Sequence, residues 1–136
     1  MVERTLGIIK PDAVQAKHSG MILQLIELNG FSIVEMRKTK LSKQEAEAFY
    51  AVHKERPFFG ELVEYISSGS VIVVALEKEN AIQDWRTLMG ATNPAQASVG
   101  TLRRMFGTHI GSNATHGSDS QQTAASELAF FFPALR

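Results

Sequence analysis

A mixed α/β domain is the fold class the sequence predicts, on three observations. Short apolar runs of strand length alternate with stretches whose apolar residues recur at helical spacing. Two helical stretches in succession stand between the second and third runs, which places helices against a sheet. Of the 136 residues, 44% are hydrophobic, enough for a real core, and the length suits a single domain over residues 1–136.

The first run, Thr5 to Ile9, is cut short by Lys10-Pro11-Asp12 and reads as a buried strand ending at a proline turn. Asp12 with Gln15 is placed to cap the helical stretch beyond the turn. Met21, Ile22, Leu25 and Ile26 then recur at helical spacing, with Asn29-Gly30 as the stop. Phe31 to Lys40 reads as a second strand, with Val34 and Met36 on one face and Glu35 and Arg37 on the other. Ser42-Lys43-Gln44-Glu45 has the form of a capping box and opens a helix striped by Ala46, Phe49, Tyr50 and His53. Pro57 ends that helix and can start the next, through Phe58, Phe59, Leu62, Val63 and Ile66 to Gly69.

Val71 to Leu76 is rich in β-branched residues and suits a central strand. Asn80 is placed to cap a helix carrying Ile82, Trp85 and Leu88 up to Gly90. Ala91 to Gly100 has little periodicity and reads as a surface loop, a common carrier of function. A short helical segment from Thr101 to Phe106, a last strand near Asn113 to His116 and a final helix through Phe132 complete the chain.

Fourteen basic residues balance fourteen acidic ones, so overall charge recommends neither nucleic acid nor a membrane surface as a partner. The absence of cysteine removes disulfides, thiolate catalysis and Cys-ligated metal sites. Met1-Val2-Glu3-Arg4 runs directly into a strand-like segment, and no apolar run is long enough for a bilayer; a soluble, cytoplasmic protein is expected.

Chemistry concentrates at Asn113-Ala114-Thr115-His116-Gly117-Ser118-Asp119-Ser120, with Glu127 eleven residues beyond the histidine. A neutral imidazole is a competent nucleophile near neutral pH, its reference pKa being ~6.5, and it can carry a transferred group covalently. Gly117 permits a backbone reversal, and Ser118 to Gln121 has capping-box form, which would set the imidazole beside an anion-attracting helix N-terminus. His18, His53 and His109 lack such surroundings and read as structural or exposed. There is no zinc-like His spacing and no Gly-x-x-x-x-Gly-Lys-Ser/Thr phosphate loop.

This box resembles the active-site signature of nucleoside diphosphate kinases. Ile9-Lys10-Pro11-Asp12-Ala13-Val14, Tyr50, Glu55-Arg56-Pro57-Phe58-Phe59 and Leu88-Met89-Gly90-Ala91-Thr92-Asn93-Pro94 resemble further family segments in family order, across nearly the whole chain. Two positions depart from it: Ser70 where many relatives have proline, and Arg104 where a smaller or acidic residue is expected. The chain also stops at Leu135-Arg136, short of the tail of eukaryotic relatives, which bears on assembly.

The resemblance implies a ferredoxin-like βαββαβ fold with a four-stranded antiparallel sheet and additional helices. It implies ping-pong transfer of a terminal phosphate from a nucleoside triphosphate to a diphosphate through phosphohistidine at His116, with ATP, GTP and GDP among the substrates. Lys10, Arg86 and Arg103 are then the phosphate cations, and Thr92 adds a hydroxyl. Phe58 is the base platform, Leu62 and Ile110 line the same slot, and Asn113 with Lys10 binds the ribose. Glu127 orients His116 or Ser118, and Tyr50 stands near the nucleophile. Mg²⁺ comes held mainly by substrate phosphates, without a protein cage, and the assembly is a homotetramer or homohexamer. The alternatives are a non-catalytic ferredoxin-like regulatory module that binds nucleotides and a nucleic-acid binder, the latter disfavoured by zero net charge.

Overall fold

In the computed structural model, which describes residues 2–135, the opening apolar run extends to β1 (Val2–Ile9). There follow α1 (Pro11–Gln15), α2 (Ser19–Leu28), β2 (Ser32–Thr39), α3 (Lys43–Phe49), a 3₁₀ turn (Ala51–His53) and α4 (Phe59–Ile66). The second half holds β3 (Val71–Glu79), α5 (Ala81–Met89), a 3₁₀ turn (Pro94–Gln96), α6 (Leu102–Phe106), β4 (Thr115–Gly117) and α7 (Gln121–Phe131). The strands form one sheet in the order β2-β3-β1-β4 with every neighbouring pair antiparallel, the βαββαβ arrangement expected.

β1 and β3 occupy the centre, so both of their faces are covered and their residues alternate between two cores. Ile9, Ile72, Val74 and Leu76 pack with Ile22 and Ile26 of α2 and Trp85 and Met89 of α5. Leu6, Ile8, Val71, Val73 and Ala75 pack with Ala46, Tyr50, Val63, Ile66 and Phe131. Trp85 is fully buried, and its truncation to alanine would cost ~3–5 kcal/mol. Residues opposite one another on antiparallel strands share a face, so the register of β4 on β1 sorts the nucleophile box. His116, opposite Ile8, faces the second core; Gly117, opposite Gly7, faces Trp85.

Five local expectations are corrected. A bulge between Ile33 and Glu35 makes Val34 an extra residue, so Val34 packs on the second core while Met36, opposite Val74, lies on the other face. The N-cap of α1 is Lys10, with no side-chain cap, and Asp12 is committed elsewhere. The stripe after the Ser42/Glu45 capping box ends sooner than expected, because α3 stops at Phe49 and Tyr50 is its C-cap. Asn80 stands at the N-cap of α5 in a left-handed conformation (φ 57°), and its amide reaches the Asp84 side chain rather than a helix N–H.

The fifth correction matters most for the site. The capping box of α7 is Ser120 with Thr123, two residues later than the sequence pattern places it, and Ser118 is fully buried with another task. Gly117 is absent from the positive-φ glycines and makes no left-handed reversal. Its requirement is space, because a Cβ there would lie 2.5 Å from Trp85 Cδ1 and 2.6 Å from Met89 Cε.

Candidate active site

His116 is presented by β4, the shortest strand and an edge of the sheet, and its backbone carbonyl accepts a 3.1 Å hydrogen bond from Trp85 Nε1. Its Nε2 lies 3.1 Å from Glu127 Oε1, an oxygen that also accepts the Ser118 hydroxyl at 2.8 Å. An ionised carboxylate can only accept; paired with one, Nε2 is the donor, and a neutral ring then keeps its lone pair on Nδ1. The Ser118 oxygen in turn accepts the Leu6 N–H at 3.4 Å, which ties the device to β1. Phe49 packs edge-on against the imidazole, centroids 5.4 Å apart at 72°, and closes another side.

Tyr50 joins this cluster through Phe49. Its ring packs on Phe49 at 5.0 Å, and among the described residues its hydroxyl makes no hydrogen bond to His116. Burial, then the charge of Glu127, pushes the phenol well above its ordinary value, so it stays protonated.

The cations converge from three elements. Lys10, buried at the end of β1, donates from Nζ to Asn113 Oδ1 at 2.9 Å, and the Asn113 amide donates to the Thr92 carbonyl at 3.0 Å. Burial, then the charge of Arg103, lowers Lys10 to about 8, and Asp12 partly offsets this. Arg103 of α6 donates to the carbonyls of Gly90 and Thr115, each at 3.0 Å, while its buried Nε has no partner among the described residues. Desolvation and the neighbouring charge of Arg86 bring Arg103 down to about 10. Arg86 is more exposed and forms a 2.9 Å ion pair with Asp119. Arg104 points elsewhere, bracing the loop through the Ala95 carbonyl at 3.3 Å, so this departure adds no charge to the cluster.

Phe58, the N-cap of α4, is 40% exposed with its ring 5.6 Å from that of His53, and Leu62 follows one turn on. Ile110 is 61% exposed at the tip of a turn closed by a His109–Ser112 bridge. Thr92 is exposed on its loop and tied to the rest through its carbonyl. His18 packs against Phe106 with centroids 4.9 Å apart and stands outside the cluster.

Four features here went unassigned on sequence grounds: Trp85 and Phe49 around His116, Asp119 against Arg86, and the Asp12–Tyr65 pair beneath Asn113. Periodicity marked Trp85 and Phe49 as core, and only strand register could have aimed them at the histidine. Asp119 lay inside the motif, where its charge next to Ser118 was the available signal.

Set beside known proteins, residues 3–136 match the model of the nucleoside diphosphate kinase family. The chain belongs to that family. Among its relatives, the nucleoside diphosphate kinase of Pelobacter propionicus is 59% identical over 134 residues, 98% of each chain. That of Geobacter sp. strain M21 is 57% identical over the same length, again 98% of each chain. The crystal structure of the Aquifex aeolicus nucleoside diphosphate kinase superposes with a TM-score of 0.96 at 43% identity, covering 97% of this chain and 96% of that one. The apo enzyme from Encephalitozoon cuniculi gives 0.91 at 35% identity, covering 96% and 88%. Membership of the nucleoside diphosphate kinase family makes the protein a transferase that moves phosphoryl groups between nucleotides. Among the described residues, no helix is long and apolar enough to cross a membrane.

Proposed function

We propose that His116 carries the phosphoryl group, with Nδ1 as the nucleophile, within a single domain spanning residues 1–136. The observation that carries this reading is the 3.1 Å contact of Nε2 with Glu127, which supports the tautomer with the ring hydrogen on Nε2 and the lone pair on Nδ1. The Nδ1 lone pair attacks the γ-phosphorus of a bound nucleoside triphosphate; the N–P bond forms as the bond to the β-phosphate oxygen breaks, and the diphosphate leaves. A second nucleoside diphosphate attacks the phosphohistidine through a terminal oxygen, which restores the imidazole. The tautomer is the same before and after the cycle, so Glu127 and Ser118 need no rearrangement.

Phosphoryl transfer depends on positioning and on charge placed around the transferring oxygens. Lys10, Arg86 and Arg103 supply that charge, with the Thr92 hydroxyl beside them. Asn113 and Lys10 take the ribose hydroxyls, and Phe58 with Leu62 and Ile110 holds the base. Tyr50 acts through Phe49, by keeping the imidazole upright. The donor set is cationic and amide in character, and no group of three or more His, Cys, Asp or Glu among the described residues could cage a metal ion. Such a set fits Mg²⁺ carried on the polyphosphate and its waters, where it offsets phosphate charge. A homotetramer or homohexamer in the cytoplasm, using ATP, GTP, GDP and related nucleotides, completes the reading.

This reading is favoured over a non-catalytic nucleotide-binding module, which has no use for a histidine held by a dedicated carboxylate. Incubation with γ-labelled ATP and Mg²⁺ should give an acid-labile phosphoprotein whose label chases into GTP on addition of GDP. Absence of a phosphoenzyme under conditions where ATP binds would overturn the proposal.

A further inference from the structure

We propose that Asp12 and Tyr65 form a positioning pair that holds the Asn113–Ala114 corner in its productive shape and ties it to the helix carrying Phe58 and Leu62. The corner is unusual. Asn113, Ala114 and Thr115 make a three-residue turn in which Thr115 N–H donates to the Asn113 carbonyl at 2.9 Å, and Ala114 is left-handed with φ 75°. Such turns are rare for a residue with a Cβ and persist only where the surroundings enforce them. Ala114 is fully buried, so its N–H has no water to turn to.

Asp12 supplies what the corner lacks. Its Oδ2 accepts the Ala114 N–H at 3.1 Å, across 102 residues of sequence, and its other oxygen accepts the Tyr65 hydroxyl. The Ala114 carbonyl accepts the Lys10 N–H at 2.8 Å, so both polar groups of the strained residue are engaged by the Lys10–Asp12 segment. Burial, and then the bond to Asp12, pushes the Tyr65 phenol well above its ordinary value, which keeps it a donor.

Lys10 Nζ also lies 5.9 Å from the Tyr65 ring centroid, so one aromatic ring supports both Lys10 and Asp12. Tyr65 belongs to α4, which begins beside Phe58 and contains Leu62. The Tyr65 hydroxyl thus joins the base side of the site to the corner that presents Asn113 and Lys10, through Asp12 and also through Ser112, the residue before Asn113. Neither Asp12 nor Tyr65 reaches the reacting atoms; each acts through other residues.

The inference rests on the reading of Lys10 and Asn113 as ribose ligands, and the test separates the two. The amide of Asp12→Asn can accept from only one of the two donors and confronts the other with an N–H₂ group, whereas Tyr65→Phe removes only the hydroxyl and keeps the ring. Each variant is first phosphorylated, and the rate of phosphate transfer to ADP and to 3′-deoxy-ADP is then measured in single turnover. In the unaltered protein 3′-deoxy-ADP should react much more slowly than ADP. Asp12→Asn should lower kcat/KM for ADP by roughly 10- to 100-fold but alter that for 3′-deoxy-ADP by less than about 3-fold, because the two losses remove the same interaction. Tyr65→Phe should show the same pattern at smaller amplitude.

Phosphorylation of His116 by phosphoramidate, which needs no ribose site, should be unchanged in both variants. Equal slowing of both diphosphates, or slowed reaction with phosphoramidate, would make the pair merely structural and overturn the inference. A 3′-deoxy penalty missing from the unaltered protein itself would remove the ribose assignment, and this inference with it.

Discussion

On the α7 side of His116, a carboxylate takes up the hydrogens of the imidazole Nε2 and of Ser118, whose oxygen accepts the Leu6 N–H. On the opposite side Lys10 and Arg103 give their hydrogens to a side-chain amide and to backbone carbonyls, and among the described residues neither makes an ion pair. Neutral partners fix where a cation sits without cancelling its charge. In the proposed reading the first flank serves to orient; the second, held by neutral partners and left positive, suits the preorganised stabilisation of a phosphate. Arg86 falls between them, since its pair with Asp119 is exposed and worth only ~0–1 kcal/mol, weak enough for a phosphate to displace.

The division of labour between the flanks meets its severest test at His116 itself. His116→Ala should abolish both the phosphoenzyme and nucleotide exchange while nucleotide binding, which the proposed reading gives to the cationic flank and the base platform, survives. Equilibrium binding together with γ-labelled ATP checks both parts. Persistent phosphohistidine in the variant would reassign the nucleophile to His18, His53 or His109.

Glu127→Ala should come next, slowing formation of phosphohistidine by roughly 10²- to 10⁴-fold, the range for orienting and acid-base groups, with little change in nucleotide affinity. It also strands the buried Ser118 hydroxyl, at ~1–3 kcal/mol of stability. An undiminished single-turnover rate with a lowered unfolding temperature would leave the orienting flank a purely structural feature.

The cationic flank responds to pH. Lys10, lowered to about 8 by burial and Arg103, should lose its proton in the free protein as pH rises through that value, and affinity for ADP should fall. Stability should move the other way. The unfolded chain keeps this proton up to its ordinary value of 10.5, so between about 8 and 10.5 the unfolded state binds more protons and stability rises with pH. The slope from this group is at most ~1.4 kcal/mol per pH unit. Below about 8 the lysine is charged in both states and contributes no slope. Lys10→Met should flatten both trends, as read by calorimetric titration and by denaturant unfolding from pH 7 to 10; an unchanged affinity profile would show that Lys10 does not meet the phosphates or ribose.

The two flanks were unequally legible. His116 and Lys10 stand in ordered motifs and Glu127 at a fixed distance beyond one, Arg86 and Arg103 came only from the family resemblance, and the alternation of strand and helix was enough to place a sheet beneath them. What escaped was set by contacts distant in sequence. Asp12 looked like a local cap with Gln15, and only the antiparallel approach of β4 to β1 brings it to Ala114, 102 residues away. Ser118 and Ser120 are equivalent to a capping pattern; burial of Ser118 against Leu6 decides between them. Gly117 invited a conformational reading, whereas the constraint is the Trp85 ring over its Cα. The bulge at Val34 likewise has no local signature, because it is a property of two strands rather than one.

The smallest expected effect concerns a surface that neither flank controls. Phe58 is 40% exposed, with its ring 5.6 Å from that of His53 and Leu62 one turn on, and in the proposed reading it is the platform for the base. Stacking needs only a π-face, so adenine, guanine, cytosine and uracil diphosphates should accept the phosphate with rates within about 10-fold of one another. Phe58→Ala should weaken all four by a similar factor, because a lost stack costs ~1–3 kcal/mol whatever the base. That loss should fall on KM, since the base makes the same contact before and during transfer and so contributes uniform binding. If instead one base retained its rate while the others lost theirs, a hydrogen-bonding residue near the platform would be reading the base edge, and the slot would have to be redrawn around that residue.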